Sequence, residues 1–586
     1  MKSNVLLAVT SEQKYLCDVV DRVVFTHGDW AEEGMQWAKD RQIACEVLPP
    51  KWNDCRKIRA ANAYVERMAI ELSHKITKDL NTIHHVSFRP KDWEAALHTW
   101  LVSWISAFYD KYNDLLQAGV REDLCLVGES ELCIVNNLNE YKVAMNDVGF
   151  NVQQYTALMN YFGCQLIDRT GKKIEKIRYV QNEPTVKARM MNRRIRSFLQ
   201  NGLHGVRLIL DNELQDVIGS FVVKATKGAV QFINGAYLYY SESRVNMDMR
   251  EKLNQTIRTD DDFKKFIYEN IGYFIPVIYL EGFHEIWPVI DTMEELQAVV
   301  LRYPFDYSEV LTALSLKAHG NQGKIYHIQH GGMGIEKYIG TDTIKYADVF
   351  YSWGWREEEY QNTFKKMPST KISREKDKII RLQKTREILF VENLSKYRIF
   401  RFNDYYDSNK WESMRKEDDF VRGLKGSVFP RLTVRPYLGC EEGRAQYLSR
   451  VHPGIRVSRP GILYTEALSK ARIVVLQGMI TTWLEALAAN IPFLIIMNRK
   501  HIFYAGKGVV EDIRLMKKAG ILQESPEAAA DFINRNYNEI ETWWKSRQTQ
   551  RVVKRLRKKY AKASCLYRLR WKLEILKIVF AVNRKK

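Results

Sequence analysis

A histidine followed by two glycines ends a predicted strand near the middle of the chain, in the segment IYHIQHGGMG. Glycines remove side-chain bulk where a backbone approaches a ligand closely. An imidazole beside them can act as a general base or bind a phosphate, so His330 is predicted to be catalytic; the alternative is a histidine held in the core. Phosphate contacts are predicted for its neighbours Gln329, Gly331 and Gly332. His327 is expected on the opposite face of the strand, so the two imidazoles are not expected to act as a pair.

A second candidate phosphate site lies in RIVVLQGMITTWLEALAAN, where a predicted strand ends at Gly478 and a helix starts with Thr481 and Thr482. Free backbone N–H groups, two hydroxyls and the positive end of the helix dipole would point to the carboxyl edge of a sheet. Glu485 either caps this helix or accepts hydrogen bonds from a ribose. Arg435, in LTVRPYL, ends another strand-like run. Its guanidinium can pair with a diphosphate or a carboxylate; the alternative is a surface arginine.

Two acidic residues at strand ends are candidate bases or nucleophiles for a transfer reaction. Asp29 follows a predicted strand in FTHGDW, and Glu281 follows another in YLEGFHE. Each could equally be a turn or helix-start residue. The triplet at residues 260–262, DDD, resembles a metal-binding DxD but lies in charged, helix-like sequence, so it is interpreted as a solvated helix start. No metal site is predicted, because the eight cysteines form no CxxC pair and no His/Cys cluster.

The elements that position these groups indicate an α/β protein with two doubly wound domains that face each other across a cleft. The 586 residues exceed what one core accommodates. Helices alternate with apolar strands, most clearly in ALSKARIVVLQG, MITTWLEALAAN and IPFLIIMN, which is typical of parallel sheets, with one expected in each half. The predicted domains are residues 1–370, with a helical insertion at about 56–120, and residues 385–545. No run of roughly 18 apolar residues and no secretory signal is present, so a cytoplasmic protein is expected.

The last part of the chain, residues 546–586, is predicted to be a basic amphipathic tail. Residues 551–586 contain 14 basic residues and one acidic residue, a net charge of +13 out of the chain's +20. A basic helix with an apolar face suits an anionic membrane surface, and the alternative is a solvated tail. Nucleic-acid binding is not expected, because the body lacks a basic face interleaved with aromatic residues. The apolar positions of the tail are Leu556, Leu566, Leu569, Trp571, Leu573, Leu576 and Val579.

The motifs of the chain, and their order, resemble those of a bacterial family of surface-carbohydrate transferases. FTHGDW, VLPPKWND, HTWLVSW, YLEGFHE, QHGGMG with YSWGW, and SKARIVVLQGMITTWLEALAANIPFLIIMN follow one another between about residues 5 and 498. The last motif is also similar to the C-terminal domains of capsule Kdo transferases and of CDP-glycerol glycerophosphotransferases. Those groups share the GT-B fold, in which two Rossmann-like domains face a cleft and the second domain holds most of the nucleotide.

The resemblance implies a metal-independent glycosyltransferase of surface polysaccharide biosynthesis (capsule or lipopolysaccharide) that uses no cofactor. A sugar, for example an ulosonic acid from a CMP donor, would pass to a glycan or lipid-linked acceptor at the inner membrane face. Donor phosphate would lie at residues 478–482 and near Arg435, with His330 across the cleft. A CDP-glycerol-type polyol-phosphate transferase and a non-catalytic assembly protein of the same fold remain alternatives. The chain departs from the family at three places. Its GGMG turn is a shorter glycine run than usual, and GDW stands in place of a Gly-Glu-Trp motif. Leu476 and Gln477 occupy positions where an acidic residue and a histidine are common.

Overall fold

Three parallel β-sheets form the framework of the protein in the computed structural model, and we call them the N-terminal, middle and C-terminal sheets in chain order. The structure describes residues 4–28, 30–120, 123–219, 221–235, 237–332, 344–356, 364–382, 387–392, 402, 410–436, 441–459, 461–479, 481–497 and 507–584.

The N-terminal sheet has short strands joined by helices. Its region contains the strands β1 (Val5–Ala8), β2 (Arg22–Phe25), β3 (Ala44–Val47), β4 (Leu124–Val127), β5 (Glu131–Ile134), β6 (Gln165–Ile167) and β7 (Arg178–Gln181). The order is β3-β2-β1-β4-β6, and β5 pairs with β7 separately. All four residues of the central β1 are buried, as expected for a strand covered on both faces. The helices here are α1 (Trp30–Asp40), α2 (Cys55–Lys75), α3 (Thr77–His84), α4 (Pro90–Ala118), α5 (Leu138–Ala144) and α6 (Val148–Tyr161).

A helical layer made by α2 and α4 joins the N-terminal sheet to the middle sheet. The two helices are 21 and 29 residues long and pack along each other. The indoles of Trp100 and Trp104 in α4 are fully buried and stack with ring centroids 5.3 Å apart. Glu94 of α4 accepts a hydrogen bond of 2.8 Å from the hydroxyl of Tyr346, which lies in the connection between two strands of the middle sheet.

The middle sheet has six strands in the order β13-β12-β11-β10-β8-β9. These are β8 (Leu208–Asp211), β9 (Val230–Ile233), β10 (Ala298–Leu301), β11 (Lys324–Ile328), β12 (Val349–Ser352) and β13 (Phe364–Lys366). Helix α7 (Val186–Gly202) precedes the sheet, and its crossovers carry α8 (Gln215–Ile218), α9 (Phe221–Ala225), α10 (Met247–Leu253), α11 (Asp262–Phe274), α12 (Phe283–Asp291) and α13 (Glu309–Gly320). Asp261 caps α11 through the Lys264 backbone N–H, which agrees with the helix start predicted for the DDD triplet.

The C-terminal sheet has the order β16-β15-β14-β17-β18-β19. Its strands are β14 (Glu387–Val391), β15 (Leu432–Arg435), β16 (Arg456–Val457), β17 (Ala471–Gln477), β18 (Phe493–Ile496) and β19 (Leu522–Gln523). The helices are α14 (Thr370–Leu382), which enters from the middle sheet, α15 (Lys410–Gly423), α16 (Glu441–Val451), α17 (Tyr464–Lys470), α18 (Thr481–Ala489), α19 (Lys507–Lys518) and α20 (Pro526–Asn536).

The expected α/β fold with parallel sheets is confirmed, but the first 370 residues carry two such sheets where the sequence pattern predicts one. The strands of the N-terminal sheet are only three or four residues long. Its edge strand β3 reads ACEV and is partly exposed along its whole length. Such short, half-polar runs give little periodic signal, so this sheet is not separable from its surroundings by pattern.

The basic tail forms helices that pack on the body of the protein. These are α22 (Arg547–Tyr560) and α23 (Tyr567–Arg584), and the short helix α21 (Ile540–Lys545) precedes them. Three positions assigned to a membrane-facing side, Leu556, Trp571 and Val579, are buried in the protein core, so that part of the prediction is wrong. The reason is that Leu556 of α22 packs into the core of the C-terminal sheet, while α23 is apolar on two sides, one of which covers the middle sheet. Within the described ranges, no helix combines the length and apolar character that crossing a bilayer requires.

Trp571 is expected to anchor α23, because its indole packs 5.2 Å from the Tyr351 ring and donates a 2.9 Å hydrogen bond to the Pro368 carbonyl. Trp571→Ala should cost about 3–5 kcal/mol of folding free energy by opening a cavity. The urea midpoint of unfolding measures this loss. Leu569→Ala, on the exposed side of the same helix, is the matched control and should change stability by less than about 0.5 kcal/mol. Equal midpoints for the two variants would contradict the packing described here.

Candidate functional site

The carboxyl edges of the middle and C-terminal sheets meet where the turn after β11 touches the start of α18. The backbone N–H of Gly332 donates a 3.0 Å hydrogen bond to Thr481 Oγ1. At Gly331, a Cβ atom would lie 2.9 Å from the same oxygen. We call this site, formed by Gly331, Gly332, Gly478 and Thr481, the junction. Ligands of α/β proteins bind at such edges, so two motifs 149 residues apart in sequence form one candidate site. Two parallel sheets facing across it make the arrangement GT-B-like.

On the C-terminal side, the backbone turns sharply to aim α18 at the junction. Gly478 has a positive φ of 79°, which favours glycine, and its N–H donates to the Ile496 carbonyl at 3.1 Å. The helix then begins at Thr481. The side-chain oxygen of Thr482 is shielded from solvent and has no hydrogen-bond partner among the described residues. A buried hydroxyl without a partner is costly, so this oxygen is suited to a ligand.

Arg435, at the end of β15, is half-buried and held in place. Its Nη2 donates a 2.7 Å hydrogen bond to the Ile462 carbonyl, and its guanidinium carbon lies 6.0 Å from the Tyr464 ring centroid. The Tyr464 hydroxyl in turn donates to the Thr482 carbonyl at 3.1 Å. Burial above all, and then the nearby Glu485 carboxylate, raise the pKa of Tyr464, so the phenol stays neutral. The structure thus connects Arg435 to the start of α18 instead of leaving it on the surface.

Glu485 forms an ion pair that the sequence did not reveal. Its carboxylate is 4% exposed and lies 2.6 Å from the Nζ of Lys371 in α14. The sequence left open a helix cap or a ribose acceptor for this residue, and the structure shows its carboxylate paired with Lys371. Lys371 adds a cation beside α18 and ties α14 to it.

On the middle-sheet side, the His330 ring lies against Tyr303 with centroids 4.2 Å apart. Its Nδ1 atom is shielded from solvent and makes no hydrogen bond of normal geometry with the described residues. Burial, helped by the neighbouring His327 and opposed by Asp306, lowers the pKa of His330 to about 3. The imidazole is therefore neutral near pH 7 and can accept a proton, but it carries no charge with which to attract a phosphate.

His327 lies beside His330, which corrects the prediction that the two rings face opposite ways. The rings are nearly parallel, at 14°, with centroids 6.4 Å apart. Strand β11 ends at Ile328, so the alternation of side chains does not continue to His330. His327 is fully buried, and neither of its ring nitrogens makes a normal hydrogen bond within the described part of the chain. Burial lowers the pKa of His327 to about 3, despite the opposing effect of the Arg302 backbone.

A charged cluster beneath Tyr303 was missed by the sequence analysis. Arg302, just after β10, binds the fully buried Asp211 at 2.9 Å and Glu213 at 3.1 Å. Glu213 also accepts a hydrogen bond from the Thr370 hydroxyl, immediately before Lys371. The available signal was the charged residue that ends each apolar run, in LILD and in AVVLR, as Arg435 ends LTVR.

Gln329 holds the shape of the turn. Its Nε2 donates to the Gly331 carbonyl at 2.8 Å. Its Oε1 accepts from the Trp353 backbone N–H at 2.6 Å and from the Trp355 indole at 2.8 Å. The side chain is 2% exposed, so it positions the junction from below.

The two candidate carboxylates have different outcomes. Asp29 lies outside the described residues. Glu281 is buried and forms a bidentate pair with Arg250 through two hydrogen bonds of 2.7 Å, while its Oε1 also accepts from the Asn246 backbone N–H at 2.9 Å. Since both oxygens are engaged inside a helical region, these surroundings indicate a structural carboxylate and do not support the prediction of Glu281 as a base or nucleophile.

Residues 5–575 match the sequence profile described as LIC12162 family transferase. The chain belongs to this family of transferases. No functionally curated protein matches this transferase. In the part of the chain that the structure describes, no group of three or more His, Cys, Asp or Glu side chains is arranged to hold a metal ion.

Three solved structures align with this transferase at low similarity. HepE of Anabaena, solved with UDP and glucose, is 8% identical over 64% of this chain and 99% of its own, with a TM-score of 0.34. The wall teichoic acid polymerase TagF is 10% identical over 68% of this chain and 95% of its own, with a TM-score of 0.33. A glycosyltransferase from Rickettsia africae ESF-5 is 12% identical over 65% and 100%, with a TM-score of 0.34. At these values the description of the fold rests on the sheets themselves.

The buried His327 is expected to make the protein sensitive to acid. Its pKa is lowered from 6.5 to about 3 on folding. Below pH 6.5 the unfolded chain therefore binds a proton that the folded protein does not, and stability falls as the pH approaches 3. His327→Leu removes this effect. Between about pH 7 and pH 5, the wild type should lose about 2 kcal/mol more than the variant, as measured by urea unfolding at both pH values.

His204 is exposed and offers the control, because His204→Leu removes no buried group. An acid dependence of His327→Leu equal to that of the wild type would contradict the burial of a neutral imidazole beneath the junction.

Proposed function

We propose that this transferase is a glycosyltransferase that moves a sugar from a nucleotide-linked donor to a glycan acceptor in bacterial surface polysaccharide biosynthesis. One observation carries the proposal: the 3.0 Å contact between Gly332 and Thr481 unites a histidine-glycine turn on one sheet with a helix N-terminus on the other. A donor phosphate bound at the helix would face the imidazole across the junction.

The donor phosphate would be met by fixed positive groups. The amide end of α18, the Thr482 hydroxyl and the Arg435 guanidinium converge at the carboxyl edge of the C-terminal sheet. As the bond from sugar to phosphate breaks, these groups stabilise the charge that develops on the leaving nucleotide, and the proposal needs no metal for this step. The resemblance to Kdo-type transferases favours a cytidine nucleotide and an ulosonic acid donor.

His330 is the proposed base on the acceptor side. The acceptor oxygen attacks the anomeric carbon, the nucleotide phosphate leaves with the bonding electrons, and the acceptor proton passes to the neutral imidazole. The negative charge of a nearby donor phosphate raises the proton affinity of this ring, which offsets part of the effect of burial. Because Thr482 Oγ1 and His330 Nδ1 are both shielded from solvent, donor entry requires the junction to open. Asp29 remains a proposed second carboxylate of the site.

The same geometry also suits attack at phosphorus. A neutral imidazole facing a phosphate at a helix N-terminus could activate the acceptor hydroxyl of a CDP-glycerol-type reaction, with a phosphodiester as the product. Mass spectrometry of the linkage separates this candidate from a glycosyltransferase.

We place the enzyme at the anionic inner face of the membrane, where lipid-linked acceptors are found. The proposed division of labour has residues 1–370 on the acceptor side, residues 385–545 on the donor side and residues 546–586 as the membrane-directed segment. The net charge of +13 in residues 551–586 supports this placement.

Nucleotide binding is the first test. The purified protein is heated with CMP, CDP, UDP or GDP, and the unfolding temperature is compared with that of the free protein. A cytidine nucleotide should raise it, and UDP should do so less. A rise with UDP alone would overturn the cytidine assignment but not the transferase proposal. Indifference to all four would favour the non-catalytic alternative.

Thr482→Val tests the donor site without perturbing the fold. The variant removes an oxygen that has no partner among the described residues, so stability should stay equal or rise slightly. A hydrogen bond to a charged phosphate would be lost, and nucleotide affinity should fall about 10- to 100-fold in calorimetric titration. Ser106→Ala is the matched control, since its buried hydroxyl in α4 also lacks a described partner. If both variants bound nucleotide like the wild type, the donor phosphate would not lie at α18.

A further inference from the structure

Helix α23 presents a second apolar face that no described part of the protein covers. Its buried side packs on the middle sheet through Tyr567, Trp571, Ile575, Ile578, Val579 and Val582. The opposite side carries five large apolar side chains that are 45–64% exposed: Leu566, just before the helix, and Leu569, Leu573, Leu576 and Phe580. Their spacing of three and four residues places them on one stripe, which we call the leucine face.

Cations border the leucine face on both sides. At 100° per residue, Arg570 and Lys577 lie along one border and Arg568 and Lys572 along the other. All four are exposed. The single acidic residue of α23, Glu574, lies on the buried side, where it accepts a hydrogen bond of 2.8 Å from the Tyr351 hydroxyl. The solvent side of the helix is therefore apolar along its centre and positive along its edges.

A second copy of the chain does not fit this pattern. The spacing of the leucine face also matches the a and d positions of a coiled coil, which puts Arg570 and Lys577 at e and Lys572 at g. Pairing two such helices would bring only like charges together at the positions that select partners. An anionic lipid surface accepts both features, because its headgroups meet the cations while the apolar side chains enter the acyl boundary.

We infer that α23 docks the protein on an anionic membrane, lying in the plane of the surface with its leucine face inserted and its Trp571 side fixed to the protein. This deepens the proposed membrane association and does not depend on the nucleotide chemistry. It also locates the membrane relative to the junction. The Trp571 indole binds the Pro368 carbonyl, and three residues later Lys371 pairs with Glu485.

The test is co-sedimentation of the full-length protein with vesicles. Wild type should bind vesicles that contain phosphatidylglycerol and should bind pure phosphatidylcholine vesicles much less. The double variant Leu569→Gln, Leu573→Gln should bind the anionic vesicles at least about tenfold more weakly, because it removes two inserted side chains. Leu116→Gln is the matched control, since Leu116 is also 51% exposed but lies at the end of α4, and it should bind like the wild type.

Two further measurements keep the outcome decisive. The thermal unfolding of the double variant shows that it is folded, and Arg570→Gln with Lys577→Gln should weaken binding to anionic vesicles and reduce its salt dependence. Equal binding of wild type and the leucine variant would overturn the inference. Equal binding of the wild type to charged and uncharged vesicles would also overturn it. So would a wild-type dimer, measured by light scattering, that becomes a monomer in the leucine variant. Failure of nucleotide binding would leave it standing, because vesicle binding is measured without nucleotide.

Discussion

The hydrogen bond from Gly332 to Thr481 is the constraint on which the candidate site depends. It joins the turns that follow β11 and β17, which belong to two different sheets. The turn tolerates no side chain where the sheets are this close, since a Cβ at Gly331 would lie 2.9 Å from the threonine oxygen. On the other side, the positive φ of Gly478 aims α18 at the same point. Glycine is thus required on both sides for different reasons, one steric and one conformational.

Charge is arranged so that the junction favours an anion. Three carboxylates near it are matched with cations: Glu485 with Lys371, and Asp211 and Glu213 with Arg302. The titratable rings are neutral, because burial lowers the pKa of His330 and raises that of Tyr464. On the C-terminal side, the junction is bordered by the start of α18 and by the half-buried Arg435. A phosphate bound as proposed would place its negative charge beside the helix start and the guanidinium.

Sequence reasoning found the turns but not the pairs between them. A strand end, a glycine and a helix start are local patterns, so His330 and Thr481 could be singled out from the printed sequence. The pairs Lys371–Glu485 and Arg302–Asp211 join residues about a hundred positions apart, and no local pattern specifies them. The same limit explains the error on the tail. Apolar spacing predicts that α23 is amphipathic, but a helix with two apolar sides does not reveal which one the protein covers.

The two last helices of the chain pack on different sheets, so a membrane bound by the last helix would contact only one of them directly. Helix α22 packs on α18 of the C-terminal sheet, and α23 packs on the middle sheet, so the chain crosses the junction between them. At the crossing, the Lys562 backbone N–H donates a hydrogen bond to the Trp353 carbonyl. The next residue, Gly354, packs closely on α22, since a Cβ there would lie 2.6 Å from the Lys558 carbonyl. A membrane bound by the leucine face would therefore hold the middle sheet, which carries His330, the proposed base on the acceptor side. The C-terminal sheet, which packs against it through a shared apolar core, would present the proposed donor side to solution, which is the division of labour that a lipid-linked acceptor and a soluble nucleotide sugar require.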